Sequence, residues 1–439
     1  MAVLDGAGYE SYVVGGAVRD IVMGKVPSDY DITTSSTPEE TAAALEGAGI
    51  RYAPTGLKHG TVMAIIGDDT VEITTFRVDG EYSDMRRPDS VTFTRSIEDD
   101  VARRDFTMNA MYLGRDGQII DRTGGMSDIR SRVIRAVGDP SKRFNEDALR
   151  IMRGLRFAAQ TGFSIEESTL EAMKAHAHLL TRISGERIAV ELNLLVTARY
   201  ASQVIRNSVP ILSVVIPELA LCEGFDQRTV FHDKDVLEHI LAVLDNIPCG
   251  SGGRDIDLAL AALFHDIAKP ECFYVGSDGR GHMKGHPGRS AVVADRVLRG
   301  LRYPNSLREE VVKLVRYHDY FIPAERYSVH RYMSNCGPDF VRRILILQDA
   351  DIKAHSSHPS RRRGRLEGIG RIAAELTEEG AAFSTCELDI SGKDLISMGM
   401  SGGPGLKVML ERLFDLYLKG EVANDHEALC ALAASLISS

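Results

Sequence analysis

Two spacings of apolar residues divide the chain. Up to about residue 135, short runs dense in β-branched and aromatic residues recur: "YVVGG", "TVMAII", "TVEITTF" and "SVTFT", with the helical stretch "TPEETAAALEGAG" among them. Such runs predict strands, and their mixture with helices predicts an α/β or α+β domain. From about Pro140 the pattern is overwhelmingly helical. Breaks are expected at "PCGSGGRD" (248–255), "VGSDGRGHMKGHPG" (275–288), "SSHPSRRRGR" (356–365) and "MSGGPG" (400–405), where Gly, Pro and Ser cluster. The reading is an α+β chain: a mixed-sheet domain over 1–137, then a long helical body. No fixed-period repeat is present.

A length of 439 residues exceeds what one core usually supports, which agrees with several units. The chain shows no apolar run of membrane-spanning length, and "MAVLDGAGYE" lacks the features of a signal peptide, so a cytoplasmic location is expected. Its six cysteines are scattered without a CxxC pair, as for reduced thiols. The net charge of −10 argues against generic coating of nucleic acid. Between Arg130 and Arg156, however, eight Lys/Arg stand against three acids. A basic stripe on an acidic protein suggests one defined anionic ligand, with a solvated helix face as the alternative.

Candidate chemistry begins in "YVVGGAVRDIVMGKVPSDYDITT". On a strand, Asp29 and Asp31 point the same way, and two carboxylates in one small volume call for a cation such as Mg²⁺. Gly15 and Gly16 let backbone N–H groups approach an anion. Glu72, on another alternating run, is a candidate third carboxylate. Such a set suits nucleotidyl transfer, in which metal ions activate the attacking hydroxyl and steady the leaving pyrophosphate.

In order along the chain stand "GGAVRD…DYD", "RRDFTMNAMY", "DRTGGMSDIRSRVIRAVGDP", "EDALRIMRGLRFAAQTGF" and "SGERIAVEL". Together they resemble the five motifs of the class II tRNA nucleotidyltransferases, the CCA-adding enzymes and their bacterial poly(A) polymerase relatives. The resemblance implies a polymerase β-like palm over 1–137 and a helical neck over 138–215. It implies that Asp147 and Arg150 select the base, with Glu146 orienting the arginine. Their chemistry agrees: a carboxylate accepts from an exocyclic amine and a guanidinium donates to the neighbouring acceptor, which suits cytosine and adenine. Helical spacing is expected to set Asp147, Arg150 and Arg153 facing one ligand. The resemblance further implies that Arg19 and Arg104 hold the triphosphate, that Asp105 contacts the ribose and that Asn109 braces that turn. The polar stretch Asp79–Phe93, with Asp84, Arg86 and Arg87, corresponds to the loop that switches the pocket from CTP to ATP. Its full length favours complete CCA addition.

A second constellation follows. His239, the adjacent pair His265-Asp266 on an apolar helix, and Asp351 resemble the HD superfamily of metal-dependent phosphohydrolases. His286 and His318 match the extra ligands of its two-metal members. The resemblance implies a divalent ion (Mg²⁺, Mn²⁺ or Ni²⁺) here and Mg²⁺ at the first site. Arg156 and the cluster Arg361, Arg362 and Arg363 are candidate RNA contacts. Lys407 and Arg412, in a tail beginning "SGKDLISMGM", are weaker candidates for the tRNA elbow.

The expected function is template-independent addition of CCA to tRNA from CTP and ATP, with an additional HD phosphohydrolase activity. The expected partners are the acceptor arm and elbow of tRNA, with no membrane and no obligate protein partner. The alternatives are an A-adding enzyme or poly(A) polymerase, or an HD phosphohydrolase whose N-terminal region only binds RNA.

Overall fold

The computed structural model describes residues 1–57, 60–80, 90–228, 234–277, 279–355 and 360–438. Asp84, Arg86 and Arg87 of the proposed switching loop lie outside the described residues, as does the side chain of Arg361. The chain packs as two compact units. One comprises Met1–Leu221 with Cys249–Ile256 and Val297–Tyr303, and the other Cys222–Pro248, Asp257–Arg296 and Pro304–Ser439.

Up to residue 121 the first unit shows nine strands among the described residues: β1 (Ser11–Val14), β2 (Asp31–Thr34), β3 (Arg51–Gly56), β4 (Thr61–Ile66), β5 (Asp69–Thr75), β6 (Arg77–Asp79), β7 (Val91–Phe93), β8 (Met111–Leu113) and β9 (Ile119–Asp121). Seven form one sheet in the order β3-β4-β5-β2-β1-β8-β9, while β6 and β7 pair as a separate ribbon. β2 runs antiparallel to β1, with Val14 opposite Asp31, and parallel to β5, with Ile32 opposite Ile73. That register decides the chemistry. Ile32 and Ile73 turn inward to pack with Leu4, Leu45, Val62 and Ala64, so Asp31 and Glu72, one residue earlier on each strand, turn to the other face. A second cluster gathers Val14, Phe76, Ile97, Val101 and Tyr112. The helix Pro38–Gly47 begins at Thr37, whose side chain and that of Glu40 form a reciprocal capping box, a device contributing about 1 kcal/mol.

Two local expectations are corrected. β2 starts at Asp31, so Asp29 lies in the segment before the strand rather than on it. Asp147 is not on the helix of Arg150 and Arg153: it stands in extended conformation between Pro140–Glu146 and Leu149–Thr161. The break is local. The Asp147 carboxylate accepts from the Leu149 amide at 3.0 Å, the short-range side-chain bond that competes with helix continuation.

Leu149–Thr161 packs on Gly185–Val196. Close approach is needed at Gly154, where a Cβ would stand 2.3 Å from Met173 Cε and 2.9 Å from Phe106. The two expected Gly-rich breaks that bracket the HD pair include short ribbons, Cys249–Gly250 with Gly253–Arg254 in the first unit and Tyr274–Val275 with Gly281–His282 in the second. The stretch from Ser360 is helical to Glu378, so the described arginines at 362–365 lie on a helix rather than in a loop. The C-terminal helices close a core of Leu395, Leu413, Phe414, Leu418 and Leu429. No helix among the described residues is long and apolar enough to cross a membrane.

Candidate functional site

The first unit holds a cavity of about 900 Å³ whose lining includes eight arginines and four aspartates. The basic excess missing from the whole chain is therefore concentrated here. Gly15, with φ +71°, turns β1 into the helix Gly16–Val22, a backbone conformation that strains any other residue. Asp29 and Asp31 line the same cavity. Desolvation and the Asp29 charge push the Asp31 carboxyl up, and desolvation followed by the Asp31 charge pushes Glu72 up. The group thus carries unfavourable mutual repulsion that a cation relieves, and an all-oxygen donor set fits Mg²⁺. Glu72 does not itself line the cavity; it stands behind Asp31 on β5.

The arginines are held from behind. Arg104 donates to Asp100 at 2.9 Å and to the Tyr112 hydroxyl at 2.8 Å, and Arg103 donates to the other Asp100 oxygen at 2.9 Å. Burial alone would raise the Asp100 carboxyl, but the two guanidinium groups and Tyr112 bring it down to about 2. Arg19 donates to Asn109 at 3.1 Å, so the bracing of that turn runs through a side-chain pair. Asp105 receives Arg153 at 2.8 Å and the Phe106 amide at 2.7 Å. Arg150 is gripped by Glu146 at 2.8 Å and by the Arg103 carbonyl at 2.8 Å. Asp147 is held by Arg187 at 2.9 Å. Arg156 pairs with Glu191 at 3.2 Å and lies over the Phe157 ring.

Gly15, Gly16, Arg19, Asp29, Asp31, Arg104, Asp105, Asn109, Asp147, Arg150, Arg153 and Arg156 therefore meet in one cavity. Arg153 turns to Asp105 rather than standing free beside Asp147 and Arg150. Sequence reasoning missed Arg187, although it lies in "SGERIAVEL", and it missed Asp100, whose only signal is its place four residues before Arg104.

The second centre lies wholly within the second unit. His239 Nε2 stands 2.9 Å from Asp351 and 3.2 Å from Asp266, and His265 Nε2 stands 3.2 Å from Asp266. The other Asp266 oxygen faces His286 Nε2 at 3.0 Å and His318 Nε2 at 3.5 Å. Two ligand groups thus share Asp266: His239, His265, Asp266 and Asp351, and Asp266, His286 and His318. Among the described residues no other group of this kind gathers, the Asp29, Asp31 and Glu72 set included. His265, His286 and His318 each place Nδ1 2.7–2.8 Å from a backbone carbonyl. A carbonyl only accepts, so Nδ1 carries a proton, and Nε2 is the ring atom turned toward Asp266. Among the described residues the buried Asp266 Oδ1 has no hydrogen-bond donor. Ring nitrogens converging on a buried carboxylate fit a divalent cation. Opposing burial, His265 and Lys269, with further histidine bonds, hold Asp266 well below the usual carboxylate range. His355, four residues after Asp351 and 3.8 Å from it, belongs to this wall and was not foreseen. Of the arginine cluster, Arg362 lines this second cavity, while Arg363 pairs with Glu367 at 3.4 Å.

A glycine turn after an interior strand, with paired carboxylates at the start of the neighbouring strand, in one chain with a His/Asp helical centre, defines a nucleotidyltransferase with an HD region. Residues 11–135 match the Poly A polymerase head domain, 162–221 the probable RNA and SrmB-binding site of polymerase A, and 236–354 the HD domain. A CCA-adding enzyme of Leuconostoc mesenteroides is 34% identical over 99% of this chain and 94% of its own. One from Streptococcus uberis is 52% identical over 192 residues, 44% of this chain and 47% of that protein, so this alignment spans about half of that relative. The crystal structure of a Bacillus stearothermophilus CCA-adding enzyme in complex with CTP covers 100% of this chain and 95% of its own, at 28% identity and a TM-score of 0.74. The chain belongs to the class II CCA-adding enzymes.

Proposed function

We propose that this protein completes tRNA by adding CCA to its 3′ end from CTP and ATP, selecting the bases with side chains in place of a nucleic-acid template. The observation that carries this reading is the meeting of Asp29 and Asp31 with Asp147 and Arg150 in one arginine-rich cavity. Glu146 and the Arg103 carbonyl grip Arg150 from one side, and Arg187 and the Leu149 amide grip Asp147. The remaining N–H groups and lone pairs are free to meet the amine and acceptor edge of cytosine or adenine. Uracil and guanine present the opposite pattern and leave both groups unsatisfied, which costs several-fold to many-fold in rate.

Asp29 and Asp31 would hold Mg²⁺, with Glu72 backing Asp31; bound there, the ion stabilises negative charge on the triphosphate and lowers the pKa of the attacking 3′ hydroxyl. The chain's own work is positioning. Arg19 and Arg104, braced by Asn109 and Asp100, are set to receive triphosphate oxygens, and the Gly15-Gly16 turn lets backbone amides approach them. Asp105, held by Arg153, is placed as acceptor for a ribose hydroxyl. Because these cations are pre-oriented by buried partners, little reorganisation is needed as charge develops. Arg156 extends the basic wall toward the RNA. We read the chain as working in four stretches, 1–137, 138–215, 216–365 and 366–439, in the cytoplasm with its tRNA. Its second centre we read as a metal-dependent phosphohydrolase acting on phosphate esters.

The test is base discrimination. Single-turnover addition to tRNA lacking CCA is expected to favour CTP over UTP strongly, and Asp147→Ala with Arg150→Ala is expected to erase that preference. A double variant that keeps full preference for CTP overturns the base-reading assignment.

A further inference from the structure

We infer that Phe157 is a positioning residue for nucleotide addition: its ring gathers the guanidinium groups of Arg19, Arg153 and Arg156 into one charged surface that receives the triphosphate. The inference rests on reading the first cavity as the triphosphate site and names the side chain that organises it. Phe157 lines that cavity together with all three arginines. Their guanidinium carbons lie 5.4, 5.5 and 4.1 Å from its ring centroid. Each is within reach of the attraction between a cation and the electron-rich face of an aromatic ring. Arg19 comes from the helix Gly16–Val22 and the other two from Leu149–Thr161, so one ring ties the charges of two helices together.

Gathering cations costs repulsion. Burial pushes the Arg156 guanidinium down, and the charges of Arg153 and Arg19 push it the same way, against Glu191 and Asp105. Each arginine has an acceptor of its own: Arg19 pairs with Asp20 at 2.9 Å, Arg153 with Asp105 at 2.8 Å and Arg156 with Glu191 at 3.2 Å. Those carboxylates neutralise what they hold. The phenyl ring carries a quadrupole and no net charge, so it holds the three side chains near one another and leaves their positive charge to an incoming anion. A triphosphate then meets cations already assembled, and its own charge relieves their repulsion. The ring in turn is fixed from behind. Phe157 is 5% exposed and meets the fully buried Phe106 edge to face at 5.9 Å. Phe106 donates its amide to the Asp105 carboxylate at 2.7 Å, so one wall carries both the support of the ring and the partner of Arg153.

The experiment replaces Phe157 in the full-length protein with mono-, di- and trifluorophenylalanine and, separately, makes Phe157→Leu. Each added fluorine withdraws electron density from the ring face and changes the ring's volume little, so the series weakens the attraction for cations while keeping the packing. Affinity for inorganic triphosphate in the presence of Mg²⁺ is read by titration calorimetry, and KM and kcat for CTP are read on tRNA lacking CCA. Triphosphate affinity and KM are expected to worsen stepwise along the fluorinated series and about tenfold in Phe157→Leu, as loss of desolvated cation–π contacts implies. The change in kcat is expected to be smaller than that in KM. Thermal melting is expected to stay level along the fluorinated series, which separates lost attraction from lost packing. Equal triphosphate affinity along that series, whatever Phe157→Leu does, overturns the proposal and leaves Phe157 a packing residue. A wild type that binds no triphosphate overturns it as well. Graded triphosphate affinity in a chain that extends no tRNA keeps the ring's hold on the anion site and overturns the transferase reading instead.

Discussion

At the scale of single residues, the first cavity is governed by buried charges that position other charges. Asp31 illustrates the cost of a functional carboxylate. Its pKa is raised in the folded chain, first by desolvation and then by Asp29, so between the ordinary Asp value and the raised one the folded state binds more proton than the unfolded state. Stability associated with this group is present below the ordinary Asp value and is lost as pH rises through the raised one. Asp31→Asn is therefore expected to raise the melting temperature at pH 8 in the presence of a chelator while abolishing nucleotide addition. A lower melting temperature at that pH would contradict the account. Asp100 acts in the opposite sense: two arginines and Tyr112 lower it to about 2, so its contribution is retained throughout the neutral range and is lost as pH falls through that value. Asp100→Ala leaves Arg103 and Arg104 without their shared carboxylate, and urea unfolding is expected to show a loss of about 3–5 kcal/mol. Retained stability would mean that the arginines find other partners. What sequence revealed at this scale was the set of ligand-type residues; what it could not reveal was which of them are committed to one another. Arg153 and Asp105 were both legible as site residues, yet their 2.8 Å bond joins residues 48 apart and has no local signature.

At the scale of elements, strand register and helix breaks place the chemistry. The alternation in "DYDITT" correctly indicated a strand but not its first residue, because the segment before β2 lacks a pairing partner and Asp29 falls outside the sheet. The 3-residue spacing of Asp147, Arg150 and Arg153 suggested one helical face, yet the Asp147 side chain bonds the Leu149 amide and the helix restarts after it. Arg187, from the helix Gly185–Val196, then fixes what the helix itself does not. Arg187→Ala is expected to raise KM for CTP about tenfold, as loss of a charge-assisted bond allows, with a smaller change in melting temperature than Asp100→Ala produces. Steady-state kinetics decides this, and an unchanged KM would assign Arg187 to packing alone. Gly125 tests the packing between elements. A Cβ there would meet the Thr107 carbonyl oxygen at 2.3 Å, and backbone cannot yield as a side chain does. Gly125→Ala should cost about 1–3 kcal/mol by overpacking, read by thermal melting.

At the scale of the whole molecule, each of the two units carries a charged centre of its own kind, one arginine-rich with carboxylates and one built on histidine and aspartate. The His/Asp centre was the more legible in sequence, because six separate ligand-type residues recur in order and all six converge. Its bridging geometry was not legible, since only the folded unit shows both oxygens of Asp266 facing different histidine pairs. Elemental analysis after Mn²⁺ loading is expected to find about two ions per chain at this centre, His286→Ala to lose one and Asp266→Ala to lose both. Loss of only one ion in Asp266→Ala would show that the groups do not share that carboxylate.

The central claim is that one arginine-lined cavity adds both C and A to tRNA. The direct measurement incubates the purified chain and Mg²⁺ with tRNA lacking CCA and with tRNA ending in CC, supplied with CTP alone, ATP alone or both, and reads product lengths at nucleotide resolution. The account predicts that CTP alone extends the first substrate to CC, that both nucleotides together complete CCA, and that ATP alone extends only the CC-ended tRNA. Addition of A to the CC-ended tRNA with no extension of the other would contradict it and make this chain an A-adding enzyme.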